Sequence, residues 1–201
     1  MKHATLLSLI LVITNCGGYK AADSDELEAK TGQIVGVLVD SKGKAHPDAT
    51  IQLIESDGTE ALISNNMDSD GSFSLWPPGP GTYNIIGIFG ETEKVIKQDV
   101  EMNDNLDGIN VGTLEGDTVA ILSVQVTPPE DVDPTDIKVE VLGTEWNATT
   151  VEEGIGIVAG LPAGTYSVKF TKDGLKELVV EDIELEPKDT IVRDDITMEA
   201  E

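Results

Sequence analysis

Short runs of β-branched and aromatic residues, patterned with a period of two and closed by turn residues, recur from Gly32 to the C-terminus. Gln33-Ile34-Val35-Gly36-Val37-Leu38-Val39 ends at Asp40-Ser41-Lys42-Gly43. Thr50–Glu55, Ala61–Asn65, Ser72–Trp76, Thr82–Phe89, Glu93–Met102 and Ile109–Leu114 follow. A period of two sends alternate side chains to opposite faces of a strand. In Thr82–Phe89, Tyr83, Ile85, Gly87 and Phe89 share one face, and Asn84, Ile86 and Ile88 share the other. No long segment carries helical spacing. The pattern predicts an all-β chain of antiparallel Greek-key β-sandwiches.

The plan occurs twice. Gly81-Thr82-Tyr83-Asn84-Ile85 is answered by Gly164-Thr165-Tyr166-Ser167-Val168, and Gln98-Asp99-Val100-Glu101-Met102 by Glu181-Asp182-Ile183-Glu184-Leu185. Spacing that stays nearly constant marks a tandem duplication of a unit of roughly 85 residues. The predicted units are 32–115 and 117–198, meeting near Glu115-Gly116-Asp117. Residues 16–31 are polar, rich in Gly, Ala and Asp, and without apolar periodicity, and they read as a flexible tether.

The N-terminus has a different character. Lys2 and His3 precede an apolar run from Leu6 to Ile13, interrupted by Ser8 and followed by Cys16-Gly17-Gly18. A basic start, a short apolar stretch and small residues make residues 1–15 a secretory signal. The run is shorter than the roughly 20 apolar residues of a spanning helix. Cys16 is the only cysteine, so the chain forms no internal disulfide. Ile13-Thr14-Asn15-Cys16 resembles the lipobox of bacterial lipoproteins, with Ile and Asn where Leu and a small residue are usual. The resemblance implies that Cys16 is lipidated and becomes the mature N-terminus, anchored in the envelope through its lipid. Gly17 after the cysteine favours the outer membrane by analogy with lipoprotein sorting.

The formal net charge of −25 repels phosphate backbones, which excludes nucleic acid as a partner. Its plain reading is a solvated surface.

Three blocks in order carry a further resemblance. Gly32 to Asp40 with Gly43 and Pro47-Asp48-Ala49-Thr50-Ile51 opens; Asn66 to Asp70-Gly71-Ser72-Phe73-Ser74-Leu75 follows; Pro80-Gly81-Thr82-Tyr83 closes. They resemble carboxypeptidase regulatory-like domains, a branch of the transthyretin-like sandwiches. The resemblance covers 32–114. It departs at Pro47-Asp48-Ala49, where the family has Gly before the Ala. The unit 117–198 keeps Leu161-Pro162-Ala163-Gly164-Thr165-Tyr166 but lacks the opening block, and so resembles a divergent copy. Asp70-Gly71 supplies the positive φ of a tight hairpin between 64–66 and 72–76.

Few residues carry candidate chemistry. Asn66, Asp68 and Asp70, followed by Gly71, imitate the start of a calcium loop, but its closing acid would fall on Pro77. The turn reading explains the same residues, so no metal and no cofactor is expected. Trp76, beside Pro77-Pro78-Gly79-Pro80, and Trp146, beside Asn147, are candidates for stacking on a sugar ring; the alternative is that each covers the rim of its own core. Beyond the signal the only histidine is His46, and no nucleophile elbow, metal pattern or phosphate loop accompanies it. The expectation is therefore a non-catalytic, lipid-anchored envelope module, structural, adhesive or accessory, whose partners are the membrane and an envelope protein or polysaccharide. The alternative is a carbohydrate-binding envelope lipoprotein.

Overall fold

A computed structural model describes residues 20–201, and Cys16 and the segment 1–15 lie outside the described residues. The strands are β1 (Ile34–Val39), β2 (Thr50–Glu55), β3 (Ala61–Asn66), β4 (Ser72–Leu75), β5 (Gly81–Ile88), β6 (Glu93–Met102), β7 (Ile109–Glu115), β8 (Asp117–Thr118), β9 (Ala120–Thr127), β10 (Lys138–Val141), β11 (Asn147–Thr149), β12 (Ile155–Leu161), β13 (Gly164–Thr171), β14 (Leu178–Leu185) and β15 (Thr190–Thr197). The only helical elements among the described residues are short 3-10 turns at Ser24–Glu26 and Glu152–Gly154. The all-β expectation holds, and the predicted strands fall within a residue or so of the observed ones.

Four sheets form, with orders β4-β1-β7, β3-β2-β5-β6-β8, β12-β9-β15 and β11-β10-β13-β14. The first two enclose one core, in which Ile34, Leu38, Phe73 and Leu75 meet Ile51, Leu53, Tyr83, Ile85 and Met102. The last two enclose another, in which Leu122, Val124, Val126 and Val158 meet Val139, Val141, Tyr166, Val168 and Phe170. Period-two alternation supplies each inner face. Both halves share one strand order apart from β8.

Each three-stranded sheet contains one parallel pair, β1 with β7 and β9 with β15, where the sequence predicted antiparallel sheets throughout. Alternation fixes which face a side chain takes but not which way its neighbour runs. β7 arrives by crossing from the opposite sheet, so it lies parallel to β1. A second difference has the same origin. The Asp70-Gly71 turn forms, with Gly71 at φ 79, but β3 and β4 do not pair as a hairpin. β3 pairs with β2 and β4 with β1, so the turn arches from one sheet to the other. Gly71 is required there twice over. Its φ is left-handed, and an added Cβ would stand 2.5 Å from the Leu38 carbonyl oxygen, while Gly71 O accepts from Leu38 N at 2.8 Å.

Residues 20–31, expected as tether, lie along the outside of the first half. The Asn110 side-chain amide donates to Ser24 O at 2.8 Å and Leu27 O at 2.9 Å. Ala22 N donates to Asp70 O at 2.9 Å, and Thr113 Oγ1 bonds Ser24 Oγ at 3.1 Å. Polar composition suggested a free chain because these partners lie far away in sequence. The junction also differs from the expected boundary. Asp117 and Thr118 pair with Lys94 and Glu93 of β6, extending the first half's sheet.

Candidate functional site

The most heavily bonded polar region lies where the two halves meet. In β5, Tyr83 and Ile85 face the first core, and Asn84 and Ile86 point outward. The outward residues are buried as fully as the inward ones: Ile54 and Ile86 are 0% exposed and Asn84 is 3%. Backbone groups of the second half lie across this face. Asn84 Nδ2 donates to Gly143 O at 3.1 Å, and its Oδ1 accepts from Asp99 N at 3.1 Å. Gln98 donates to Thr165 O at 2.6 Å and accepts from Thr165 N at 3.2 Å. Gln52 donates to Glu145 at 2.6 Å, and Gly143 N donates to Gly58 O at 2.6 Å. Ile96, beside Ile86 on β6, packs against the second core.

Lys94 is the one lysine buried among the described residues, at 9% exposure. Its Nζ donates to Gly160 O at 2.7 Å and sits 5.2 Å from the centroid of the Trp146 ring. Burial pushes its pKa down, with the nearby Glu91 charge opposing. The carbonyl and the ring face replace part of the lost water.

The predicted site residues fall in different places. Trp146 is half-buried under Lys94, packed against the second core. Trp76, just after β4, is 54% exposed. Nothing brings the two tryptophans together. Asp70 spends its carboxylate on the turn, its Oδ1 accepting from Ser72 Oγ at 2.7 Å and Ser72 N at 3.1 Å. Ser72 bonding holds the carboxyl below the usual aspartate range. Asp68 accepts from Gly71 N through its backbone carbonyl. Asn66 ends β3. Among the described residues, no group of three or more His, Cys, Asp or Glu is disposed to hold a metal. No helix of the described residues is long and apolar enough to cross a membrane.

His46 lines an open recess of about 470 Å³ with Asp40, Lys42, Phe89 and Glu93. Its Nε2 lies 2.8 Å from Asp40 Oδ2, and its ring meets Phe89 edge-on at 6.0 Å. Ser41 Oγ donates to Glu93 Oε1 at 3.0 Å, so this hydroxyl is bonded to a carboxylate. Asp40 is further held by Lys42 N at 2.9 Å and Lys44 N at 2.8 Å. In the second half, Glu140 is 7% exposed, with Lys138 at 2.7 Å and Lys169 at 3.4 Å. These groups close turns and neutralise one another.

Sequence reasoning missed the joint residues Asn84, Lys94 and Gln98. The signal lay in β5, where Ile86 and Ile88 make the outward face apolar as well. A strand apolar on both faces is covered on both.

No protein-family model matches the chain. The protein dduB of Dictyostelium discoideum is 24% identical over 133 residues, spanning 62% of this chain and 10% of that protein. The chain thus spans about a tenth of the length of that curated relative. Among solved structures, the minor pilin GBS52 of Streptococcus agalactiae aligns with 84% of this chain and 96% of its own, at 12% identity and a TM-score of 0.40. A type II cohesin–X-dockerin complex of Acetivibrio cellulolyticus aligns with 40% of this chain and 58% of its own, at 23% identity and a TM-score of 0.36.

Proposed function

We propose that this chain is a non-catalytic module of a bacterial cell envelope, held there by a lipid on Cys16, with a structural, adhesive or accessory role. The observation that carries the reading is where the buried polar side chains are spent. Asn84 and Lys94 fasten one half to the other, Tyr83 and Tyr166 pin strand starts, Asp40 and Asp70 close turns, and Glu140 is neutralised by two lysines. The lipobox-like Ile13-Thr14-Asn15-Cys16 supports the anchor, and Gly17 favours the outer membrane. The shared strand order of the halves supports a duplicated transthyretin-like unit, the second copy divergent.

The anchor is tested by metabolic labelling with a fatty-acid analogue and membrane fractionation. Wild-type protein takes up label and sediments with membranes, and Cys16→Ser does neither. Unlabelled wild-type protein in the soluble fraction overturns the anchor.

One observation favours a second reading, a carbohydrate-binding module. Trp76 is 54% exposed on a Pro-rich loop, and an exposed indole offers a flat face to a sugar. A glycan array decides it: binding lost in Trp76→Ala and kept in Trp146→Phe supports the reading, and no glycan bound by the wild type removes it.

A further inference from the structure

Independent motion is the default for two modules on one chain unless their interface is large or well bonded. This chain departs from that default in three ways. The first is the lack of a free linker. Gly116 N donates to Val39 O at 2.8 Å, Val119 N to Thr92 O at 3.1 Å, and Lys188 N to Thr118 O at 3.3 Å, while Asp117 and Thr118 pair with β6. The connecting residues are thus bonded to both halves.

The second is the kind of contact. Most of the joint's bonds run from a side chain to a backbone group: Asn84 to Gly143 O, Lys94 to Gly160 O, Gln98 to both the N–H and the carbonyl of Thr165. Backbone groups held in sheets and tight turns cannot follow a moving side chain, so each bond fixes a position. The two bonds of Gln98 to one residue also fix a direction. The third is the penalty for opening. Buried polar groups that lose their partners are costly. Asn84 is 3% exposed and Lys94 9%, and Ile54 and Ile86 beside them are 0%.

We propose that the two halves form one rigid body, its angle set by Asn84, Lys94 and Gln98 reading the backbone at Gly143, Gly160 and Thr165. The chain is then a stiff element of fixed bend, and Trp146 serves as the platform for Lys94 inside the joint. The proposal concerns the joint alone and stands whether or not Cys16 carries a lipid.

Nitrogen-15 relaxation and residual dipolar couplings of the full chain test it. In the wild type, one tumbling time and one alignment tensor fit both halves. Gly143→Ala is the wedge, because its added Cβ would stand 2.1 Å from Asn84 Nδ2 and 2.7 Å from Ser56 O. Gly174→Ala is the control: its φ of 79 resembles the 72 of Gly143, but nothing lies within 4 Å of its added Cβ. Gly143→Ala splits the single tensor into two and shortens the tumbling time of each half, with far-UV circular dichroism unchanged; Gly174→Ala keeps one tensor. Gln98→Ala, at the rim of the joint, gives the same loss in milder form and serves if Gly143→Ala does not fold. Two tensors in the wild type overturn the proposal. So does a single tensor in both Gly143→Ala and Gln98→Ala, or a split in Gly174→Ala.

Discussion

Asp70 accepts from the hydroxyl and the amide of Ser72, and these bonds hold its carboxyl below the ordinary aspartate value of 3.8. As pH falls, the unfolded chain protonates this residue before the folded one does. The bonds therefore add stability above the ordinary value, and that stability drains as pH falls through 3.8 toward the folded value. Asp40 behaves alike: burial raises its pKa, but bonds from Lys44, His46 and Lys42 outweigh that and leave it lowered. A chain of net charge −25 also repels itself at neutral pH, and acid relieves that repulsion. The two effects oppose, so the comparison must be made between variants at each pH. Asp70→Asn keeps an oxygen acceptor but does not titrate. Wild type is expected to be the more stable at neutral pH, the margin closing once pH is well below 3.8, in thermal melts across that range. A margin that does not change with pH shows that Asp70 acts through shape alone. At this scale the sequence was half legible. The Asp-Gly turn is written in its residue types. Lys94 could not be singled out, because its burial depends on Trp146 and Gly160 more than 50 positions away.

Tyr83 and Tyr166 show how an element is pinned. Each follows a Gly-Thr at the start of its strand, is 2% exposed, and donates its hydroxyl back to the carbonyl four residues earlier, Gly79 at 2.9 Å and Pro162 at 2.7 Å. The register shifts just after each, between Tyr83 and Ile85 and between Tyr166 and Val168. Opposite each shift stands an aspartate with left-handed backbone, Asp99 at φ 56 and Asp182 at φ 59. Removing one hydroxyl strands its acceptor to the degree that the acceptor is buried. The Tyr166 bond is buried and the Tyr83 bond only partly so. Tyr166→Phe is expected to cost about 1–2 kcal/mol and Tyr83→Phe less, by chemical denaturation. Equal losses mean that ring packing, not the hydroxyl, holds these strands. Strand positions were legible because period-two alternation and Gly-Thr-Tyr landmarks are local. The parallel pairs β1–β7 and β9–β15 were not, since direction is settled by where the chain crosses between sheets.

For the molecule as a whole, the two halves are unequal partners. The first half's outer sheet face carries Ile54 and Ile86, both fully buried, and Ile96, packed against the second half's core. On the second half, Lys169 and Val179 stand where the first half has Ile86 and Ile96, Val179 being 40% exposed, and the buried Glu140 beside them is paired with Lys138 and Lys169. Cutting the chain near Val119 therefore harms one half more. Burying an Ile side chain stabilises by about 1.5–3 kcal/mol, so exposing Ile54 and Ile86 removes up to roughly 3–6 kcal/mol from the first half. Domains of this size hold a net stability of only about 5–15 kcal/mol. Asn84 loses Gly143 but regains water, a smaller loss. On the second half, Trp146 loses Lys94 and Gly160 O loses its donor, and the outer face with Lys169 and Val179 is unchanged. Residues 20–119 alone are expected to melt far below the intact chain and to aggregate through the bared β5 face, while 120–201 alone melts closer to it. Replacing Ile86 by Thr in the isolated first half should restore solubility without restoring stability. Separate thermal melts of the two fragments decide the matter: a first half that melts as high as the intact chain, or a second half that fares worse than the first, refutes the asymmetry.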